Sequence, residues 1–325
     1  NRADPSPRIH VVTRCQRSLV MLTLLCATLA FTSCSSPDKS KASGDNQLCA
    51  HGGVVGWGDS LTWAYTKIDG VTQEADPTWL GTLGEELGLP TKNLGVPGQG
   101  SAEIAVRQGG LKPLVTLRGD QIPRGSTEAI AITAISPNDG WSQARKGKDR
   151  TYKMHGALAG VDGTLVHINK QGVPSFAFVP DHAASSAVPV PANSAFSGDD
   201  GTDLRTCMQI IWAGTNNLGN PAAIIRDIAS MVEWMPHPKR YLVIGTIPNI
   251  RDELSNTYGS RFVDLRSWLV ADGLAAASLS PSPKDTKAIA VGKVPPSLMV
   301  DGTHFTQAAY TAIGHYLASV IKDMG

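Results

Sequence analysis

Three short polar segments carry the residue types of a serine acyl-transfer site: Gly58-Asp59-Ser60-Leu61-Thr62, Gly214-Thr215-Asn216-Asn217 and Asp301-Gly302-Thr303-His304. A serine hydroxyl is a weak nucleophile. It needs a neutral imidazole to take its proton and a carboxylate to orient that imidazole. Ser60, His304 and Asp301 supply these types, and Asp301 and His304 stand at i and i+3, so one turn can hold both. Charge developing on a carbonyl oxygen also asks for preorganised donors. The backbone N–H groups of Ser60 and Gly98 could give two, and the side-chain amide of Asn216 a third. Each segment alone has a plainer reading. Ser60 could cap a helix, Asn216 could close an Asx turn, the Asp301–His304 pair could be an N-cap with a surface histidine, and Gly98 could serve only a positive φ. Their weight comes from occurring together, each just beyond an expected strand.

Those strands are legible as short apolar runs. GGVVGWG (52–58) reads as a buried strand entering a loop, and 77–89 as a helix with Pro77 near its start and Gly88 near its end. Lys92–Gly100 is a strand breaking into a glycine-rich turn, after which Ser101 is expected to cap a helix. MQIIWAGTNN (208–217), PAAIIRDIASMVEWM (221–235), RYLVIGTIP (240–248), SRFVDLRSWLV (260–270) and the amphipathic 305–321 continue an alternation of strand and helix. Such alternation implies α/β architecture, a parallel sheet covered on both faces. Ligands then bind beyond the carboxyl ends of the strands, where the polar segments fall. Between 108 and 203 the texture changes to β-prone stretches separated by Gly, Pro and Asp, read as an inserted β-rich subdomain, with 183–200 expected to be a loop.

Composition narrows the alternatives. With a net charge of +1 and no long basic run, nucleic-acid binding through phosphate contacts is not expected. Five cysteines are too few for a disulfide scaffold, and no C-x-x-C or H-E-x-x-H pattern points to zinc, so no metal is expected. His51, His155, His167, His182, His237 and His315 lack spaced partners and read as surface or satisfied histidines. Asp199, Asp200 and Asp203 read as a solvated loop, with a Ca²⁺ site the alternative. Trp57 reads as core, Trp63 as core or cleft border, and Trp141 as structural with a sugar platform the alternative.

The N-terminus reads as an address. Arg14 and Arg17 precede an apolar stretch of 16 residues, Ser18–Ser33. At 1.5 Å per residue it spans about 24 Å, short of a bilayer core of about 30 Å, so residues 1–33 read as a secretory signal. The chain opens on Asn1 rather than Met, and the expectation is either a longer reading frame or a misassigned start. The end of the stretch, Phe31-Thr32-Ser33-Cys34, resembles a bacterial lipoprotein signal, in which Cys34 would be lipidated and the protein exported to the cell envelope, with a freely secreted protein or an uncleaved anchor as the alternatives. Phe31 departs from the aliphatic residue usual there. Residues 34–50 read as a flexible tether. Removing 1–33, with four arginines against Asp4, takes the net charge to about −2.

Taken in order, GDSLT, NLGVPGQGS, AGTNN and DGTHFT resemble the SGNH branch of the GDSL hydrolase family. The resemblance covers 51–107 and 204–323 and leaves out the insert. It implies a flavodoxin-like three-layer α/β/α sandwich with a short parallel sheet, and an ester hydrolase that needs no cofactor. By residue, it implies Ser60 as nucleophile and His304 as base with Asp301 behind it. It also implies an oxyanion hole of Ser60, Gly98 and Asn216, with Gly95 as the lesser alternative to Gly98. In that fold the first and third strands are neighbours. Cys49 and Cys207, near the bottoms of those strands, would then form a disulfide, against the alternative of two free thiols. The domain reading is 51–107 with 204–325 as the hydrolase domain and 108–203 as the insert. The expected partner is a small-molecule or polysaccharide ester, the chain is read as a monomer, and membrane contact is limited to the lipid anchor. Two other functions share these residues: an acyltransferase using the same site, and a non-catalytic glycan-binding surface lipoprotein.

Overall fold

The computed structural model describes residues 48–49, 52–143 and 149–324. The leader, Cys34 and most of the tether lie outside the described residues. The chain enters β1 (Val54–Gly58), turns back through a hairpin, β2 (Tyr65–Ile68) and β3 (Val71–Glu74), and continues into α1 (Trp79–Leu87), β4 (Thr91–Gly95) and α2 (Ser101–Gln108). Eight strands follow without an α-helix: β5 (Leu114–Leu117), β6 (Gln121–Ile122), β7 (Ile130–Ser136), β8 (Arg150–Leu158), β9 (Val161–Lys170), β10 (Val173–Pro180), β11 (Val188–Pro189) and β12 (Ser194–Gly198). The alternation resumes with β13 (Met208–Trp212), α3 (Pro221–Trp234), β14 (Tyr241–Gly245), α4 (Arg251–Tyr258) and β15 (Phe262–Asp264). It ends with α5 (Leu265–Ala271), α6 (Gly273–Ala276), α7 (Pro283–Ile289) and α8 (Gln307–Asp323).

Five strands form one parallel sheet in the order β15-β14-β13-β1-β4. Numbered along the chain this is 2-1-3-4-5, the flavodoxin-like order. The three inner strands, β1, β13 and β14, are buried on both faces, which is why they read as nearly unbroken apolar runs, whereas the edge strand β4 is only half-buried. Val55, Trp57, Ile211 and Val243 point into one cluster with α2, α3 and α4. Val54, Ile210, Trp212, Leu242 and Ile244 point into the other, with α1, α5, α6 and α8. The period of two along each strand feeds two cores from one sequence.

The insert is a closed barrel, β10-β7-β5-β12-β8-β9, so its strands leave no free edge. Its hairpins turn on residue pairs with positive φ, Ala159-Gly160 and Gln171-Gly172, the backbone of tight type I′ connections. Barrel side chains Met154, Leu165, Phe178 and Phe196 share a continuous core with Ile104, Ala105 and Val106 of α2. The 183–200 stretch is not all loop. It holds β11 and β12, and β12 closes the barrel by pairing with β5 and β8. Its Ser, Ala and Gly residues flank a single fully buried aromatic, Phe196, which is too sparse an apolar pattern to announce a strand.

Ser101 is also not the N-cap. Gly100 holds that position, and Ser101 is the first helical residue, freed for another bond because Glu103 caps the Gly100 N–H. Cys49 and Cys207 form a disulfide with Cα atoms 4.7 Å apart, just ahead of the paired strands β1 and β13. The bridge closes a loop across 158 residues of sequence, so its removal releases much chain entropy in the unfolded state. The Cys49→Ser/Cys207→Ser double variant is expected to lose roughly 2–4 kcal/mol, read from its urea midpoint against the wild type.

Candidate active site

The loops after β1, β4 and β13 emerge at the carboxyl end of the sheet, and the segment before α8 folds back to meet them. The turn after β1 is tight: Trp63 N–H donates to Asp59 O (2.9 Å) and Tyr65 N–H to Ser60 O (2.9 Å). Gly95 lets the next strand end approach this turn, because a Cβ there would run into the Trp63 backbone nitrogen. Trp63 is half-buried beside that contact, its ring 6.3 Å from Tyr65, and it does not line the cavity described below. The last segment is closed by Val300 N–H to His304 O and Thr306 N–H to Leu298 O, both 2.9 Å.

These loops bring Ser60, His304 and Asp301 into one hydrogen-bonded line. The Ser60 hydroxyl lies 2.8 Å from His304 Nε2, and His304 Nδ1 lies 3.0 Å from Asp301 Oδ2. With a carboxylate on Nδ1, that nitrogen carries the hydrogen and Nε2 is left to accept from Ser60. Asp301 Oδ1 also accepts the N–H groups of Thr303 and His304, each at 2.8 Å, which fixes the carboxylate relative to the ring it serves. Burial pushes Asp301 up, but its bonds from the His304 side chain and the His304 and Thr303 backbone outweigh this and bring it down to about 2.

Two residues that sequence reasoning missed complete the imidazole's setting. The Tyr65 ring lies over His304 with centroids 4.1 Å apart, held by its hydroxyl against Thr72 Oγ1 (2.9 Å) and by Tyr310 donating to its carbonyl. Lys67 places its ammonium 3.9 Å from Asp301 Oδ2. Tyr65 and Lys67 alternate onto one side of β2. Their position, five and seven residues after Ser60, was the only signal available in the sequence.

The predicted donors lie one on each of the loops after β1, β4 and β13. Gly98 adopts φ +87°, and a Cβ there would run into the Arg150 guanidinium and the Tyr152 hydroxyl, both from the barrel. Among the described residues, neither the Ser60 nor the Gly98 N–H has a hydrogen-bond acceptor. Asn216 donates one amide hydrogen to Gln99 O (3.0 Å) and keeps the other. Gln99 is braced from below by the buried Arg107, whose Nε donates to Gln99 Oε1 and Nη2 to Leu94 O, each 2.9 Å. Burial pushes that guanidinium down to about 10. The adjacent Asn217 accepts from Ser101 N–H and donates to Ser101 Oγ, which in turn donates to the buried Asp227 (2.6 Å).

Other polar residues singled out in the sequence lie elsewhere. His155 sits between Asp181 (2.8 Å) and Asp199 (2.9 Å) on the barrel surface, and hydrogen bonds to Asp181 and then Asp199 push it up to about 9. Asp199 is thereby paired, and among the described residues no group of three or more His, Cys, Asp or Glu side chains gathers as a metal site would need. Trp141 is buried, donates to Pro137 O and packs edge-on against Phe176 and His167, so its ring is structural.

A cavity of about 250 Å³ opens beside the triad, with Leu61, Thr215 and Thr303 in its lining. Each of these is the chain neighbour of Ser60, Asn216 or His304. No protein-family model matches the sequence, and no curated protein matches it. Among solved structures the chain is similar to a carbohydrate acetylesterase from Sinorhizobium meliloti, at 12% identity over 84% of this chain and 99% of that one, with a TM-score of 0.39. It is also similar to an aryl esterase from M. smegmatis, at 15% identity over 84% of this chain and 100% of that one, with a TM-score of 0.36. These likenesses are distant, and the site rests on its own distances.

Asp59, beside the serine, is fully buried, with Oδ1 accepting from Leu61 N–H (3.0 Å) and Oδ2 without a hydrogen-bond partner. Burial pushes it up to about 6, against the pull of Leu61 and the nearby Thr215. Between about pH 4 and 6 the folded state therefore keeps a proton that the unfolded chain has lost. This contribution to stability is full below about pH 4 and is lost as pH rises through 6. Asp59→Asn, which cannot ionise, is expected to gain stability relative to wild type on going from pH 4 to pH 7, measured by urea midpoints at each pH.

Proposed function

We propose that this chain is a serine ester hydrolase of the SGNH type, acting through an acyl-enzyme. One observation carries the reading: the unbroken line from Ser60 Oγ through His304 to Asp301, at 2.8 and 3.0 Å, at the carboxyl ends of a parallel sheet. In this reading His304 Nε2 takes the hydroxyl proton as Ser60 Oγ attacks the ester carbonyl. The oxyanion is met by the Ser60 and Gly98 N–H groups and the spare amide hydrogen of Asn216. His304, now imidazolium, is stabilised by the Asp301 carboxylate and returns the proton to the departing alkoxide. A water, deprotonated by the same nitrogen, then releases the acid and restores Ser60. Asp301, held at about 2, stays charged throughout the pH range of such a reaction.

Acyl esters, O-acetyl groups included, are the substrates that this apparatus serves without any further group. A carbohydrate as the alcohol is the specific form we propose, with the barrel beside the second loop as the wall that meets it. The leader ending at Cys34 supports export, with a lipid on Cys34 as the anchor and a monomeric enzyme beyond it. Ser60→Ala is expected to lower turnover of p-nitrophenyl acetate by about 10⁴-fold or more. It should also abolish labelling by a fluorophosphonate while leaving the circular dichroism spectrum unchanged. Equal turnover by the variant would remove Ser60 from the mechanism.

A further inference from the structure

The cavity beside the triad is walled largely by apolar side chains, among them Ile247, Leu269, Val294, Met299 and Phe305. One charged residue lines it, Arg266, on the first turn of α5. Arg266 is half-buried as a residue, and its guanidinium spends one donor on Gly292 O (2.9 Å). Among the described residues no carboxylate lies within ion-pair distance of it. Asp264, two residues earlier, is taken up by Arg251 and by the Ser267 N–H and hydroxyl. An adjoining cavity of about 610 Å³ is lined by Arg266, Lys293 and Asp301, and Asp301 is already engaged by His304. Lys67 also lies 3.9 Å from Asp301 Oδ2, so that carboxylate is already shared between His304 and Lys67 and is not a partner for Arg266.

We propose that this cavity receives a carboxylate carried by the ester substrate, and that Arg266 is the residue that selects it. The proposal rests on the esterase reading and narrows its substrate class to acidic esters. An arginine fork with unused donors matches a carboxylate in a two-bond geometry, and apolar walls on either side strengthen the pairing by keeping water away. A neutral acyl chain in the same space would leave the guanidinium unpaired and gain only apolar contact. The position of Arg266 also fixes where the charge sits. β15, which feeds α5, is three places from β1 in the sheet. At about 4.8 Å per strand the backbone that carries Arg266 starts roughly 14 Å from the strand that carries Ser60, so its side chain enters the cavity from the side away from β1. The carboxylate can belong to either half of the ester, to a dicarboxylic acyl group or to an acidic alcohol such as a uronic acid.

The test compares matched ester pairs in the wild type, Arg266→Met and Arg266→Lys, each checked for unchanged thermal unfolding. One pair is p-nitrophenyl hemiglutarate against p-nitrophenyl valerate, which places the charge on the acyl side. The other is 4-acetoxybenzoate against phenyl acetate, which places it on the alcohol side. The wild type is expected to favour the charged member of one pair. In Arg266→Met the kcat/KM ratio of that pair should fall by about 10–100-fold, with Arg266→Lys between the two. The pair that responds identifies the half of the ester that carries the charge. Neutral esters turned over with no Arg266-dependent ratio in either pair would overturn the proposal and leave the esterase reading standing. A second readout is titration calorimetry of monomethyl glutarate and of 4-acetoxybenzoate on Ser60→Ala, with and without Arg266→Met. Binding lost with Arg266, in a chain whose wild type turns over none of these esters, would uphold the carboxylate pocket while sinking the esterase reading.

Discussion

A carboxylate removed from water must find donors enough to replace it, and Glu103 is fully buried. It finds them on three separate pieces of chain. The Gly100 N–H (3.0 Å) belongs to the turn that follows β4, the Ser142 N–H (3.0 Å) to the segment after β7, and His167 Nδ1 (2.7 Å) to β9 of the barrel. Each partner meets part of the hydrogen-bonding demand of one buried carboxyl group, so helix, turn and barrel are fixed together. Gly100 lies two residues beyond Gly98, and the turn that carries the Gly98 N–H is therefore held in place partly from within the insert. The barrel is part of the site's scaffold as well as its neighbour.

The same logic runs outward from Glu103. Arg107, one turn further along α2, fastens Gln99, and Gln99 fastens Asn216. Ser101 fastens Asn217, and Asp227 of α3 fastens Ser101. Loops that carry reacting groups are ordinarily the least ordered parts of a fold. Here two of them are locked to one buried helix by polar side chains, Arg107 through Gln99 and Ser101 through Asn217. The imidazole is secured by different means: the Tyr65 ring against one face and an Asx turn beneath. Each member of the line can thus hold its geometry without help from a bound ligand.

Most of the sandwich was legible because strands buried on both faces are written as apolar runs, and polar tetrads at their ends stand out against them. Ser60, Asn216, Asp301 and His304 could be read for that reason. Cys49 and Cys207 could be paired only by way of the strand order that a family resemblance implies. The parts that escaped depend on shape or on single residues. β12 was hidden in a stretch of small residues and prolines, with Phe196 its one strong apolar signal. Gly100 took the capping position from Ser101 because a glutamate three residues on does the capping, and the serine turned inward to Asp227. Tyr65, Lys67 and Arg266 have ordinary surface-residue identities, and only three-dimensional placement separates them from other residues of their kind.

The bridge between Cys49 and Cys207 also has a mechanical meaning. It joins the chain just before β1 to the chain just before β13, and these two strands lie side by side at the centre of the sheet. The first pair of those strands is Val54 with Met208, so the bridge stands one residue ahead of it on β13 and five ahead on β1. A pull arriving from the residues ahead of Cys49 is thereby shared between two central strands before it reaches Ser60 at the opposite end of β1.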